Sequence, residues 1–155
     1  FIIAKAPETA KLINLSRQIN NSMPEYVVET TEKLLAKNNG KKITVFGLTY
    51  KGNVDDIRES PAMEIYEILR KKPEYEVVAY DPHVKLDFVE KDLAKALDGS
   101  DIVLILSDHN EFKALTSEHF GKMNTKQVFD TKNVVKEHTD EINYINYGNL
   151  YEFLK

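Results

Sequence analysis

The side chains best suited to chemistry crowd into one stretch: Gly47-Leu48-Thr49-Tyr50-Lys51-Gly52-Asn53-Val54-Asp55-Asp56-Ile57-Arg58-Glu59-Ser60-Pro61. Lys51 and Arg58 supply positive charge and Tyr50 a flat face for stacking. Asn53, Asp55, Asp56 and Glu59 add hydrogen-bonding groups. That set suits an anionic ligand with a planar part. A second reading is a solvated loop, with Arg58 paired to Asp55 or Asp56 and Lys51 in water. Residue types alone leave both open, because long ordered loops are often but not always functional. The stretch has no G-x-G-x-x-G and no Walker lysine pattern, so it is not a dinucleotide fingerprint by itself. The four histidines, His83, His109, His119 and His138, show no pair at metal-ligand spacing, and no metal site is expected. The chain has no cysteine, which removes disulfides, thiolate-zinc sites and any Cys nucleophile within it.

The elements around the stretch say where it must sit. Ile43–Phe46 reads as a strand ending at Gly47, and Ser60-Pro61 reads as a helix start, since Ser caps well and Pro suits the first helical position. The connection is about thirteen residues, against ~2–6 for most βα loops. A long polar loop at the carboxyl end of a first strand lies where α/β folds bind ligands, and the following helix N-terminus favours anions. Further β-rich runs are Glu76–Tyr80, Ile102–Leu106, Gln127–Phe129 and Tyr144–Tyr147. Helical stretches lie between them at Pro61–Lys71, Leu93–Leu97, Asn110–Leu115 and Glu118–Met123. This alternation predicts an α/β fold, a Rossmann-like, mostly parallel sheet flanked by helices. Ile102–Leu106 is apolar on both faces, as a covered central strand should be.

Ahead of Asn38-Asn39-Gly40, a helix stop signal, the pattern is helical from Pro7 to Lys37. Pro24 predicts a kink or break near Met23, with Ser22 capping a second segment. A helical segment of roughly forty residues is too small for its own core. It must pack on the α/β domain, on another part of a longer chain, or on another subunit. The expected division is therefore 1–39, helical, and 40–155, α/β. Asp81-Pro82 ends the second strand where dinucleotide folds keep an acidic ribose ligand, but it follows Gly47 by 34 residues rather than ~20. A turn-starting or helix-capping role suits it better.

The 155 residues fit one domain, or one plus a fragment. Charged residues make up 30% and the net charge is −4, which argues against a nucleic-acid partner. The longest aliphatic run, Ile102–Leu106, is far short of the ~20 residues that cross a bilayer. The first residues lack the form of a signal peptide, so no membrane partner and a cytoplasmic setting are expected. The start at Phe1 rather than Met suggests a piece of something longer.

The Gly47–Pro61 stretch resembles the G-L-[AT]-[FY]-K-x-[DN]-x-D-D-x-R-E-S-P signature of the UDP-glucose/GDP-mannose dehydrogenase family. Arg17–Pro24 resembles the family's central helix, and Tyr80-Asp81-Pro82 its second strand end. Ser100–Leu104 with Ser107–Phe112 resembles its fourth strand and following turn, and Phe129–Asn133 its D-x-[RK]-N turn. The resemblance covers nearly the whole chain. It implies three parts in the full protein: an N-terminal Rossmann domain for NAD, a helical middle region forming a homodimer, and a C-terminal domain for the UDP half of a UDP-sugar. Residues 1–39 would be the end of the middle region and 40–155 the UDP-sugar-binding domain.

The implied reaction oxidises the sugar C6 alcohol to a carboxylate in two NAD-dependent steps. A cysteine of a G-G-x-C motif, expected just before Phe1, would trap the aldehyde as a thiohemiacetal that loses hydride and is hydrolysed. This chain would then hold no catalytic residue and be inactive alone. By position in the signature, Tyr50 and Lys51 are implied substrate-binding residues and Arg58 the arginine that reaches NAD. Lys132 and Asn133 fall where many relatives carry Arg-Arg or Arg-Asn. Lys132 is an implied substrate contact, with a solvated turn residue as the alternative, since lysine lacks the two-pronged geometry of arginine. Asp108-His109 stands where relatives acting on UDP-glucose tend to show Glu-Trp and those acting on N-acetylhexosamines Asp-His. With Arg17–Pro24 it tilts the implied substrate toward UDP-N-acetyl-D-mannosamine. UDP-glucose, UDP-N-acetylglucosamine and a non-catalytic nucleotide-binding or dimerisation module remain as alternatives. The exposed Ile, Val and Leu faces expected on the helical segment would favour self-association.

Overall fold

The computed structural model describes residues 2–6 and 8–155. Phe1 and Pro7, where the chain and the expected helical pattern begin, lie outside the described residues. Two helices open the chain, α1 (Ile2–Lys5) and α2 (Lys11–Ala36). There follow β1 (Lys42–Phe46), α3 (Pro61–Arg70), β2 (Glu76–Tyr80), β3 (Val89–Glu90), α4 (Leu93–Leu97) and β4 (Ile102–Ile105). Then come α5 (Asn110–Lys113), a 3-10 turn (Ser117–Lys122), β5 (Gln127–Asp130), β6 (Asn143–Ile145) and α6 (Leu150–Phe153). The strands form one sheet in the order β3-β2-β1-β4-β5-β6, every pair parallel. This is the doubly wound order, in which the chain steps outward on one side of β1 and then on the other.

Register explains why the sheet is covered on both faces. Val45 sits opposite Leu104 and Phe46 opposite Ile105. Ile43, Val45, Ile102, Leu104, Phe129 and Ile145 point to one side, into a core shared with α2 and α3. Phe46, Val103, Ile105, Val128 and Tyr144 point to the other, with Leu97, Phe112 and Phe120. Each large side chain so buried contributes on the order of 2 kcal/mol. The carboxylate of Asp101 fixes the start of β1 by accepting from Lys41 N (2.7 Å) and Lys42 N (2.9 Å).

The expected break at Pro24 does not occur: α2 runs unbroken from Lys11 to Ala36 with Pro24 inside it. Ser22 is not a cap; its hydroxyl donates to the Ile19 carbonyl. Proline cannot donate to the Asn20 carbonyl four residues back, but Asn20 lines an open cleft where that carbonyl loses little. Beyond it Val27, Val28, Leu34 and Leu35 are buried in the main core and hold the second half of the helix in line. The stop signal forms as expected, with Asn39 left-handed (φ +52°) and Gly40 N donating to Leu35 O at 3.1 Å. The two halves of α2 differ. In the first half Leu12 is 77% exposed, and Ile13, Leu15 and Ile19 are also exposed. The two-residue β3 and the short α6 were not expected from the sequence. The last strand is Asn143–Ile145 rather than Tyr144–Tyr147.

Candidate functional site

The order of the sheet reverses between β1 and β4, so their carboxyl ends splay apart and leave a crevice. Gly47 is the first residue beyond β1 and is left-handed (φ +87°). A Cβ there would lie 2.4 Å from Ser107 Cβ, so only glycine lets the chain turn out of the strand. The turn leads into the long polar loop. A cleft of about 1020 Å³ opens at this point. Arg17, Asn20 and Pro24 of α2 form one wall, and Tyr50, Arg58, Glu59 and the start of α3 another. Leu106, Thr131, Lys132 and Tyr147 close it.

The sequence-derived residues are divided by this geometry. Tyr50, Arg58 and Lys132 line the large cleft. Lys51 is absent from that lining and borders an adjoining hollow of about 240 Å³ with Tyr50, Val54, Asp56 and Arg58. Tyr50 is 62% exposed, its ring available on the rim. The Arg58 guanidinium grips Asp56 with two bonds, Nε to Oδ1 (2.9 Å) and Nη2 to Oδ2 (2.7 Å), which was one of the pairings the solvated-loop reading foresaw. That grip holds the Asp56 carboxyl down to about 2 and raises the Arg58 guanidinium above its ordinary value.

Two non-glycine residues of the loop, Asn53 (φ +61°) and Glu59 (φ +52°), are left-handed. The second is a cost that ordinary loops avoid and functional ones tolerate. Ser60 caps α3 as expected, its side chain accepting from Met63 N at 3.4 Å. The charge of the large cleft is balanced: Arg17, Arg58 and Lys132 face Glu59, Glu64 and Glu67. An anion would therefore be held by local donors rather than by a broad positive field.

Lys132 is set by a buried anchor. Asp130, at the end of β5, is fully buried. Its carboxylate accepts from Lys132 N (3.0 Å), Val134 N (2.8 Å), Val135 N (3.0 Å) and the Tyr144 hydroxyl (2.8 Å). Asn133, left-handed at φ +52°, has its side-chain amide 3.1 Å from the same hydroxyl. Burial and the Asp130 bond push the Tyr144 hydroxyl well above its ordinary value. Asn133 thus acts within the turn, and Lys132 projects from it, exposed, toward the cleft.

Asp81 has the turn role expected of it. Its carboxylate is fully buried and accepts from Leu48 N (2.8 Å), His83 N (2.8 Å), Val84 N (3.1 Å) and His109 Nε2 (3.1 Å). Burial opposes its ionisation, but the bonds from His109, Leu48 and His83 outweigh that and leave the carboxyl below its ordinary value. No acceptor is left for a ribose. With one glycine in the first turn and Leu48 N already bonded, this Rossmann-like turn does not fit a dinucleotide.

The histidines are less scattered than the sequence suggested. His83 and His109 lie with ring centroids 4.6 Å apart, tilted by 32°, and His83 Nε2 lies 3.2 Å from Glu111 Oε2. The three side chains bring ligand atoms within 4.8 Å of one another. His109 nevertheless has no lone pair to give: Nδ1 accepts from Asn53 N at 2.8 Å, which fixes the proton on Nε2, facing Asp81. The grouping does not supply three metal ligands.

Sequence reasoning missed Tyr147, which lies against Phe129 edge-on (centroids 5.8 Å) and borders the cleft. Burial, with the nearby Tyr26, raises its hydroxyl above its ordinary value. Its only signal was its place as the last residue of the expected strand Tyr144–Tyr147.

Comparison with known proteins adds a second line. A family model described as UDP-glucose/GDP-mannose dehydrogenase family, UDP binding domain, matches residues 44–137. A UDP-N-acetyl-D-mannosamine dehydrogenase of Methanocaldococcus jannaschii is 41% identical over 141 residues, 87% of this chain and 32% of that protein. The crystal structure of the UDP-N-acetyl-mannosamine dehydrogenase from S. aureus superposes with a TM-score of 0.93 at 61% identity, over 99% of this chain and 37% of that one. A UDP-D-ManNAc dehydrogenase structure from Pyrococcus horikoshii gives 0.83 at 34% identity, over 94% and 35%. The chain thus spans about a third of the length of the relatives it matches.

Proposed function

The chain belongs to the UDP-glucose/GDP-mannose dehydrogenase family, and on that premise we propose that it holds the UDP half of a UDP-sugar for an NAD-dependent 6-dehydrogenase. The observation that carries this reading is the cleft at the β1/β4 reversal, ringed by Tyr50, Arg58, Lys132 and the capped start of α3. A diphosphate is dianionic or more, and cationic side chains beside a helix N-terminus complement it. Tyr50 offers a face to the planar base or the sugar, Lys51 a point charge from the adjoining hollow, and Lys132 a second charge across the cleft. Arg58, 85% exposed along its side chain, is the residue proposed to reach NAD carried by another domain. NAD would supply the hydride acceptor. This chain's own residues do the binding and orienting, and residues 1–155 contain no cysteine to trap an aldehyde.

The whole enzyme is proposed to convert UDP-N-acetyl-D-mannosamine to the corresponding uronate in the cytoplasm. Support for the sugar comes from the names of the relatives at 41% and 61% identity. Residues 1–39 are proposed as the end of a helical region through which two copies pair. The exposed Leu12, Ile13, Leu15 and Ile19 support that. The described residues contain no helix long and apolar enough to cross a membrane. The test is NADH formation by the full-length enzyme with UDP-N-acetyl-D-mannosamine, UDP-N-acetylglucosamine and UDP-glucose in parallel. Turnover of the first, with two NADH per sugar, supports the proposal. Exclusive use of UDP-glucose reassigns the sugar, and no turnover of any removes the enzyme reading.

A further inference from the structure

The loop that carries Tyr50 and Lys51 is bolted to the turn after β4 by side-chain-to-backbone hydrogen bonds. Gly52 N donates to Asp108 Oδ1 at 2.8 Å. Asn53 N donates to His109 Nδ1 at 2.8 Å, and Asn110 N donates to Asn53 Oδ1 at 2.9 Å. His109 is itself fully buried and donates from Nε2 to Asp81, the carboxylate that also accepts from Leu48 N at the other end of the same segment. The fit is close: a Cβ on Gly52 would lie 2.5 Å from the Asp108 carbonyl oxygen.

We propose that Asp108 and His109 are positioning residues that hold Lys51 in place for the nucleotide. The inference rests on the UDP-binding reading above. Lys51 is exposed and sits directly before two backbone N–H groups that these side chains capture, while its own carbonyl accepts from the Thr49 hydroxyl at 2.7 Å, so its backbone is held by hydrogen bonds rather than by burial. His109 sets the inner bond and is committed to one tautomer. Asp108, exposed, sets the outer one. Losing the outer bond frees Gly52 and lets the lysine sample positions from which it cannot meet a phosphate, which lowers affinity without removing any group that touches the ligand.

Asp108 is the residue to test, because its exposure makes a folding failure unexpected. UDP is titrated calorimetrically into the wild-type chain, Asp108→Ala and Asp108→Asn, and amide exchange at Gly52 is measured without ligand. Asn keeps an oxygen that accepts from Gly52 N but loses the charge. Positioning predicts that Asp108→Ala weakens UDP binding about 3- to 10-fold and speeds Gly52 exchange, with the thermal midpoint unchanged. Asp108→Asn restores both. If Asp108 acted through its charge, both variants would bind UDP more tightly, which overturns the proposal. Affinity unchanged in Asp108→Ala overturns it too, while leaving UDP binding by the wild type standing. A wild-type chain that does not bind UDP overturns the underlying reading and this inference with it.

Discussion

Replacing Gly47 by alanine adds one methyl and should cost the fold several kcal/mol. The residue is left-handed at φ +87°, which charges an L-residue about 1–2 kcal/mol. The new Cβ would meet Ser107 Cβ at 2.4 Å and Oγ at 2.6 Å, where carbon atoms pack best at about 3.5–4 Å. Relieving such an overlap in a packed region costs about 1–3 kcal/mol. Together these give about 2–5 kcal/mol, or a fall of roughly 5–20 °C in midpoint for a domain of this size. The two contributions separate in a Ser107→Gly background. That change removes the Cβ and Oγ and leaves the Ser107 backbone nitrogen at 3.0 Å. It also loses the Ser107 bond to the Thr49 carbonyl, 2.8 Å, which makes it costly alone. Urea unfolding of the four proteins of this cycle should show a favourable coupling of about 1–3 kcal/mol. A cost for Gly47→Ala below about 0.5 kcal/mol, or one identical in both backgrounds, refutes the geometry.

Two further outcomes concern the buried anchors. The Asp81 carboxyl is held below its ordinary 3.8 in the fold, so its contribution is fully present above that pH and is lost as pH falls through the folded value. Asp81→Asn should cost about 2–4 kcal/mol at pH 7 and should flatten the acid limb of stability below pH ~4; an acid limb as steep as the wild type's contradicts this. The Tyr144 hydroxyl is raised above its ordinary 10.0, so its contribution is present below pH ~10 and lost as the pH climbs toward the folded value. Tyr144→Phe should cost about 1 kcal/mol at neutral pH and remove that alkaline slope, read by guanidinium unfolding from pH 7 to 11.

The parts of the fold that were legible in the sequence are those written locally. Ile102–Ile105 is apolar at every position because it is covered on both faces, and it reads as a strand without its neighbours. Ser60 caps α3 through its side chain, which reaches a backbone N–H only three residues on. Asn39-Gly40 ends α2 through bonds only a few residues back. Pro24 misled because a local rule about one missing N–H was outweighed by the distant burial of Val27 to Leu35. Val89–Glu90 is a strand only because β2 lies beside it. The site divides in the same way. Tyr50, Lys51 and Arg58 declared themselves by type and spacing. The Asp108–Gly52 and His109–Asn53 bonds join residues 56 apart, and no periodicity reports such a contact. The meeting of His83 with His109 was hidden for the same reason, since it joins the turns after β2 and β4 across the end of the intervening β1.

The most direct test of the account is calorimetric titration of this chain with UDP, with NAD, and with UDP again after Lys51→Ala. Saturable UDP binding, no heat from NAD, and affinity lost in the variant with its thermal midpoint unchanged is the predicted result. A folded chain that ignores UDP, or that binds it equally well without Lys51, contradicts the placement of the nucleotide at the loop after β1.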